Sequence, residues 1–181
     1  MRARRSAKLV GLALAYARAK SAQNVDAALA VCDDTFVLDT PPFGTRSQGK
    51  AETAAQLHLF FAAFPDYGVT LDGTLANDDT VACWGTATMT LRGPVLDIAP
   101  TGRTARVPFV SIFTGHSGGL TSERFLFDLA SLCVQLGVST DRMAATLAVV
   151  RGELEGQAAA HGEGQVEGRA EGRTTSAEAR S

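Results

Sequence analysis

One acidic residue, Asp128, stands where it could act as a base in apolar surroundings. It follows Phe125, Leu126 and Phe127 at the expected end of a strand, and the segment LASLCVQL after it has the composition of a helix. If this carboxylate faces a cavity, desolvation disfavours its charged form and raises its pKa. A carboxylate with a raised pKa removes a proton from a carbon acid more readily. The structural alternative is that Asp128 caps the helix that begins at Leu129.

Four other side chains are candidates for a pocket, and each has a structural alternative. His116 in the turn GHSGG could donate a hydrogen bond to an enolate oxygen, or be a solvated loop residue. His58 lies at the edge of a helix face, Asp39 ends a predicted strand beside two prolines, and Tyr16 lies on an apolar helix stripe. The alternatives are surface packing for His58, a turn role for Asp39 and core packing for Tyr16.

Three residues on predicted strands could contact a ligand directly. Trp84 shares a strand face with Thr86 and Thr88, where it is either a planar wall for a ring-shaped ligand or packs toward a dimer partner. Arg106 and Arg124 could orient a ligand carboxylate or ester. The alternative for both arginines is a surface ion pair.

Motifs that would hold a cofactor or metal are missing from the sequence. There is no phosphate-binding loop and no dinucleotide-binding fingerprint, and the three histidines (His58, His116 and His161) are too dispersed for a ligand cluster. We therefore expect no cofactor, no metal site, and acid–base chemistry carried by side chains alone.

Composition predicts a soluble globular protein without a charged partner. Of the 181 residues, 45% are apolar and 20% charged, and the formal net charge is −2. No strong field would attract nucleic acid or an anionic membrane. Cys32, Cys83 and Cys133 are scattered, which predicts buried free thiols in a reducing, cytoplasmic compartment.

The N-terminal segment has two interpretations. Arg2, Arg4, Arg5 and Lys8 precede the apolar run LVGLALAYA, which is the layout of a signal peptide. An amphipathic first helix is favoured, because an apolar stripe continues through Tyr16 and basic residues extend the helix without a break. No apolar run reaches the roughly 20 residues of a membrane span.

The order of predicted elements is helices, then strands, then a helix. Ala54, Leu57, Phe61 and Phe64 share one face of the third helix, and Phe61 is expected to line the ligand pocket. This order predicts an α+β fold in which a curved sheet packs on N-terminal helices. The predicted helices are 7–20, 27–32, 50–64 and 129–136, and the strands are 35–38, 67–75, 81–91, 103–114 and 120–127, with FGTRSQG as a loop.

The C-terminal part of the chain changes in composition. Residues 141–156 carry the apolar stripe Met143, Leu147, Val150 and Leu154 and are predicted to be a helix. Residues 157–181 have almost no large apolar side chains and are predicted to be a disordered tail.

Four segments together resemble a known family. FFAAFPDY, VACWGTATMTLRG, APTGR and SERFLFDLASLCVQLG, over about residues 7–138, resemble the SnoaL-like polyketide cyclases of the nuclear-transport-factor-2-like superfamily. The resemblance implies one domain over 7–140, shaped as a cone: a bent mixed sheet around helices that encloses a deep apolar pocket. It also implies a homodimer, and it places the family's catalytic aspartate, the base of a cofactor-free aldol closure, at Asp128.

Three functions follow from these expectations. The first is a cyclase or isomerase acting on an apolar, carbonyl-bearing small molecule, with Asp128 as base. The second is a non-catalytic ligand-binding or dimerisation module, which Leu126 favours because relatives often carry a tyrosine there. The third, epoxide or ester hydrolysis, needs a polar partner set that the sequence does not identify.

Overall fold

Two helices open the chain and cover the sheet. The computed structural model describes residues 2–116 and 118–149, and its first helices are α1 (Arg2–Ser21) and α2 (Val25–Ala30). Leu9, Ala13, Tyr16 and Lys20 are buried along one side of α1, since residues three or four apart share a helix face. The cap of α2 is Asn24, whose Oδ1 accepts from the Ala27 N–H at 2.9 Å.

Six strands form one curved, unclosed mixed sheet. Its order is β2-β1-β6-β5-β4-β3, and all neighbours are antiparallel except β1 and β6, which run parallel. The predicted α+β fold is confirmed. The strands are β1 (Cys32–Thr40), β2 (Thr45–Gln48), β3 (Gly68–Ala76), β4 (Thr80–Thr90), β5 (Thr104–His116) and β6 (Gly119–Phe127).

Two local predictions were wrong at this edge of the sheet. Cys32, expected at the end of a helix, begins β1. The segment FGTRSQG, expected as a loop, contains β2, which pairs with β1 from Val37↔Gln48 to Thr40↔Thr45. A single helical turn at Pro41–Phe43 makes the reversal between the two strands, and Gly44 ends that turn at φ 64°.

The remaining helices close the inner face of the sheet. Helix α3 (Gly49–Ala63) packs on β1 and β2, α4 (Leu129–Leu136) packs beside β5, and residues 140–149 form a last helix, α5. The rest of the predicted C-terminal helix and the predicted tail lie outside the described residues. In the described part of the chain, no helix is long and apolar enough to cross a membrane.

Strand alternation separates an inner from an outer sheet face. In β4 the side chains of Val81, Cys83, Ala87 and Met89 are buried, whereas Trp84 between them is 42% exposed. The Trp84 ring lies over Gly73 on β3, where an added Cβ would come within 2.3 Å of the indole. The inner face, which meets α1 and α3, is the one that builds the cavity described next.

Candidate functional site

An apolar cavity of about 170 Å³ lies between the inner sheet face and α3. Leu38 and Thr40 reach it from β1, Leu57 and Phe60 from α3, and Phe125 from β6. Thr40, Thr45 and Gln56 add neutral polar groups to its wall. Such a space, mostly apolar with a few polar groups, is typical of small-molecule sites. Its aromatic walls are Phe43, Phe60, Phe64, Tyr67 and Phe125.

One of these polar groups, Gln56, is incompletely satisfied. Its Nε2 donates to Thr45 Oγ1 at 3.0 Å, but its Oε1 is buried and has no hydrogen-bond partner among the described residues. A buried acceptor without a partner costs free energy, and a ligand hydroxyl group would supply one.

Lys20 is the charged side chain of the cavity wall, counting only the described residues. Its Nζ is 2.8 Å from Glu123 Oε2, and the two side chains are 6% and 3% exposed. Ser111 Oγ donates to the other carboxylate oxygen, Glu123 Oε1, at 2.8 Å. The charges are therefore buried but paired, which is the condition under which a protein interior tolerates them.

Aromatic rings surround the Lys20 ammonium. Nζ lies 5.0 Å from the ring centroid of Phe125, 5.2 Å from that of Tyr16 and 5.9 Å from that of Tyr67. Ring faces attract a cation at such distances. The pair is thus held in a dry, aromatic environment in which its electrostatic interactions are strong.

Glu123 lies one layer deeper than the main cavity. It lines a small inner space of about 10 Å³ together with Cys83 and Ser111. Lys20, Tyr67 and Phe125 belong to the walls of both spaces, so the acid stands directly behind the inner end of the main cavity.

The negative charge of Glu123 raises the pKa of neighbouring side chains. Burial, and after it the Glu123 carboxylate, raises the pKa of Tyr16 and of Tyr67 far above the ordinary tyrosine value. The same two causes raise the pKa of the Cys83 thiol to about 11. The Tyr16 hydroxyl is buried without a hydrogen-bond partner among the described residues. All three groups therefore stay protonated near neutral pH.

Asp128 is not in these surroundings. Its carboxylate is exposed and caps α4: Oδ1 accepts from the N–H of Ala130 at 2.9 Å and of Ser131 at 3.2 Å, and Oδ2 from Ser131 Oγ at 2.7 Å. These bonds, that of the Ser131 hydroxyl foremost, lower the pKa of Asp128. Asp128 thus takes the structural alternative of a helix cap, and the condition for a raised pKa, a carboxylate that faces a cavity, is not met, because the strand ends before it and the helix amides take up its oxygens.

Two predicted ligand contacts meet each other on the outer sheet face. Arg124 Nε is 3.4 Å from Asp39 Oδ2, and the two residues are register partners on β6 and β1. Leu38 and Thr40 line the cavity, so Asp39 between them points away from it. The structure places this ion pair on the surface.

The other predicted site residues also lie outside the main cavity. His58, Trp84 and Arg106 are exposed, and Tyr16 and Phe61 are buried in the core, where Phe61 packs behind Phe60. None of the nine candidate residues, His116 included and all within the described ranges, belongs to the cavity wall. Their functional roles stay predictions that this geometry does not favour.

The turn between β5 and β6 resembles a hydrolase motif in spacing only. GHSGG has the pattern Gly-x-Ser-x-Gly. In a nucleophile elbow this pattern joins a strand to a helix, whereas here it joins two antiparallel strands. His116 in this turn is exposed, and its Nε2 is 3.4 Å from Asp33 Oδ2. Among the described residues, no three His, Cys, Asp or Glu side chains cluster in a way that could hold a metal ion.

A sequence signal for the buried pair existed. Lys20 follows Leu9, Ala13 and Tyr16 at helical spacing, and Glu123 alternates with Phe125 on β6. Charged residues at positions that the period assigns to the core are uncommon, and two of them of opposite sign indicate a buried pair.

Comparison with known families identifies the fold's relatives. Residues 11–136 match the family model of the SnoaL-like polyketide cyclases. The chain belongs to this family. Lys20 and Glu123 lie inside the SnoaL-like match, and α5 lies beyond its end. No curated protein sequence shows a significant match.

Several solved structures share the fold at low identity. A proposed SnoaL-like polyketide cyclase from Jannaschia sp. CCS1 has a TM-score of 0.67 and 20% identity, over 74% of this chain and 94% of that one. IdmH, a proposed polyketide cyclase from Streptomyces antibioticus, has a TM-score of 0.62 and 18% identity, over 71% and 98%. TerC co-crystallised with polyporic acid has a TM-score of 0.61 and 18% identity, over 72% and 98%.

Proposed function

We propose that this SnoaL-like protein binds an apolar, carbonyl-bearing ring compound in its main cavity and catalyses a cofactor-free cyclisation or isomerisation of it. The observation that carries the proposal is the Lys20–Glu123 pair, with Nζ and Oε2 2.8 Å apart at the inner end of an apolar cavity. A buried ion pair is weak evidence for stability, since apolar residues of similar size are often as stable. Its presence beside a cavity supports a chemical role.

The proposed roles follow from charge. The Lys20 ammonium donates a hydrogen bond to the carbonyl oxygen of the ligand. The C–H group next to that carbonyl reaches the inner space that Glu123 lines, where Glu123 takes its proton, and the electron pair of the C–H bond becomes an enolate whose oxygen Lys20 stabilises. In an isomerisation the proton returns to another carbon; in a cyclisation the enolate carbon bonds to a second carbonyl carbon of the same molecule, whose oxygen takes the proton. A well-placed donor to such an oxygen accelerates a reaction by about 10²–10³-fold.

The ligand class is supported by shape and by one relative. Phe43, Phe60, Phe64, Tyr67 and Phe125 offer flat aromatic surfaces, and Gln56 Oε1 lacks a donor. These features suit a planar ring compound that carries a carbonyl and a hydroxyl group. Polyporic acid, which was co-crystallised with TerC, is an example of a compound to test.

Hydrogen–deuterium exchange of 1-tetralone in D₂O tests the catalytic part. We expect the native protein to speed the loss of the C2 proton signals in NMR above the buffer rate. Glu123→Gln removes the acid while preserving side-chain size, and we expect it to exchange at the buffer rate. Asp128→Asn, the matched control outside the cavity, is expected to exchange like the native protein. Loss of exchange in Asp128→Asn alone, with Glu123→Gln unaffected, would return the catalytic role to Asp128.

A second candidate function is ligand binding without a reaction. It is supported by the position of Asp128, which caps α4 instead of facing the cavity. In that case 1-tetralone would bind and raise the melting temperature without faster exchange. Binding at 100 times the Kd adds about 2.7 kcal/mol to the free energy of unfolding, which a thermal shift detects.

The oligomeric state and the cellular location of the protein are also part of the proposal. We propose a homodimer through the outer sheet face, where Trp84 and Val110 are register partners that are 42% and 39% exposed. A reducing cytoplasmic location is supported by Cys32, Cys83 and Cys133, which are free and buried.

A further inference from the structure

One side of the cavity is built by residues that lie beyond the family match. That match ends at residue 136, whereas Met143 and Leu147 of α5 line the main cavity. These two side chains are only 1% and 9% exposed. They lie one helical turn apart, so a single face of α5 contributes both.

The connection between β4 and β5 meets α5 at the same place. Pro94, Val95 and Leu96 of this connection line the cavity. Val95 and Ile98 exchange two backbone hydrogen bonds of 3.0 and 2.9 Å, which turn the chain sharply at Leu96 and Asp97. Leu96 takes a φ of 49°, a left-handed conformation that is unfavourable for leucine. The turn therefore needs contacts that hold it.

Asp97 supplies those contacts toward α5. Its Oδ1 accepts from Thr146 Oγ1 at 2.7 Å, and its carbonyl oxygen accepts from Arg142 Nη2 at 2.8 Å. Thr146 is 4% exposed and the Asp97 side chain 65% exposed, so this bond joins a buried residue of α5 to the surface of the turn. On the other side of the turn, the N–H groups of Arg92 and Gly93 donate to the Ala63 carbonyl at the end of α3.

We propose that Pro94, Val95 and Leu96 together with Met143 and Leu147 form an outer wall that sets the upper size limit of the ligand, with Asp97 as the residue that holds the wall closed. This proposal rests on the proposed ligand site and adds its specificity determinant. The wall is apolar and its α5 half lies beyond the family match, so it restricts the length of the ring system while the inner end of the cavity contacts its polar group.

Fluorescence titration with two probes tests the wall. The probes are 2-naphthol, with two fused rings, and 1-hydroxypyrene, with four. We expect Met143→Ala combined with Leu147→Ala to raise the affinity for 1-hydroxypyrene relative to 2-naphthol by about tenfold or more, the effect of a methylene or more of added space. Val149→Ala, an exposed truncation on the same helix, is the matched control and should leave the ratio unchanged.

Two nearly isosteric variants distinguish a change in ligand size selectivity from a general loss of folding. Thr146→Val and Asp97→Asn keep side-chain volume but remove or weaken the bond between the turn and α5. We expect both to shift the ratio toward 1-hydroxypyrene while far-ultraviolet circular dichroism stays native. An unchanged ratio in all three variants, with both probes still bound, would overturn the wall and leave the proposed function standing. Failure of both probes to bind the native protein would overturn the ligand site and the wall together.

Discussion

At the scale of single residues, the buried Lys20–Glu123 pair is the feature of the cavity that supports a catalytic role. Each charge stabilises the other, because burying an unpaired charge costs several kcal/mol of folding free energy. Asp128, which follows an apolar run, was the base predicted from the sequence. Glu123, five residues earlier, was not among the candidates. Which of several carboxylates becomes buried depends on strand register, and composition alone does not fix register.

The buried pair predicts a non-additive double mutant. Lys20→Met and Glu123→Met should each lower the free energy of unfolding by roughly 3–5 kcal/mol, because each leaves one buried charge without its partner. The double variant should recover to within about 1 kcal/mol of the native protein, since two apolar side chains then fill the space. Urea unfolding at pH 7 measures all four states. Losses that simply add in the double variant would contradict a buried, coupled pair.

The reactivity of the buried thiols tests the burial seen in the structure. Burial, opposed only in part by Lys50 and Lys20, raises the pKa of Cys32 to about 12, and burial with Glu123 raises that of Cys83 to about 11. Thiolates are the reactive form, so at pH 8 both should react with Ellman's reagent far more slowly than an unperturbed cysteine. In guanidinium chloride all three cysteines of the chain should react at once. Rapid reaction of Cys32 or Cys83 in the folded protein would be inconsistent with this interior.

At the scale of elements, periodicity predicted the helices and the long strands and missed the shortest strand. Strand β2 has only four residues, Thr45–Gln48, in a segment of small and polar residues, and it exists because β1 offers it a partner. The predicted first helix and the four later strands carry enough apolar residues at a constant period to be recognised alone. Strand β2, in contrast, forms through its pairing with β1 and not through its own sequence pattern.

The Asp128 cap predicts a pH-dependent loss of stability. Asp128→Ala should lower the midpoint of thermal unfolding at pH 7 by roughly 2–4 °C, the usual effect of losing an N-cap. Because the folded-state pKa of Asp128 is lowered, its stabilisation is complete above the unfolded-state pKa of about 3.9 and disappears as the pH falls through the lower folded-state value. The difference between variant and native protein should therefore shrink below about pH 4. Asp72→Ala, an exposed change on β3, is the control and should show no such trend.

At the scale of the whole molecule, the two sheet faces divide the proposed tasks. The inner face builds the cavity, and the outer face carries a row of apolar side chains across three strands. Trp84 pairs with Val110, and Val110 pairs with Leu126. An apolar row on a sheet face, partly exposed, is a surface that a second copy would cover.

Light scattering after size exclusion tests the dimer. We expect the native protein to have twice the 18.9 kDa mass of one chain, and Val110→Lys to have the mass of one, because a charge in the apolar row would have to be buried on association. Val134→Lys, on an exposed apolar residue of α4, is the matched control and should stay dimeric. A native protein that elutes with the mass of one chain would refute the dimer.

The parallel contact between β1 and β6 has a consequence for how the protein is made. On a ribosome, β1 leaves the exit tunnel long before β6 is synthesised, since its partner residues lie more than 80 positions later, as in Leu38↔Glu123. Until then the nascent chain carries an unpaired strand edge, and Lys20 lacks the carboxylate that neutralises it. The sheet and the ion pair are therefore completed together, late in synthesis. This predicts slow, all-or-none folding of the chain and a need for chaperone protection before the last strand emerges.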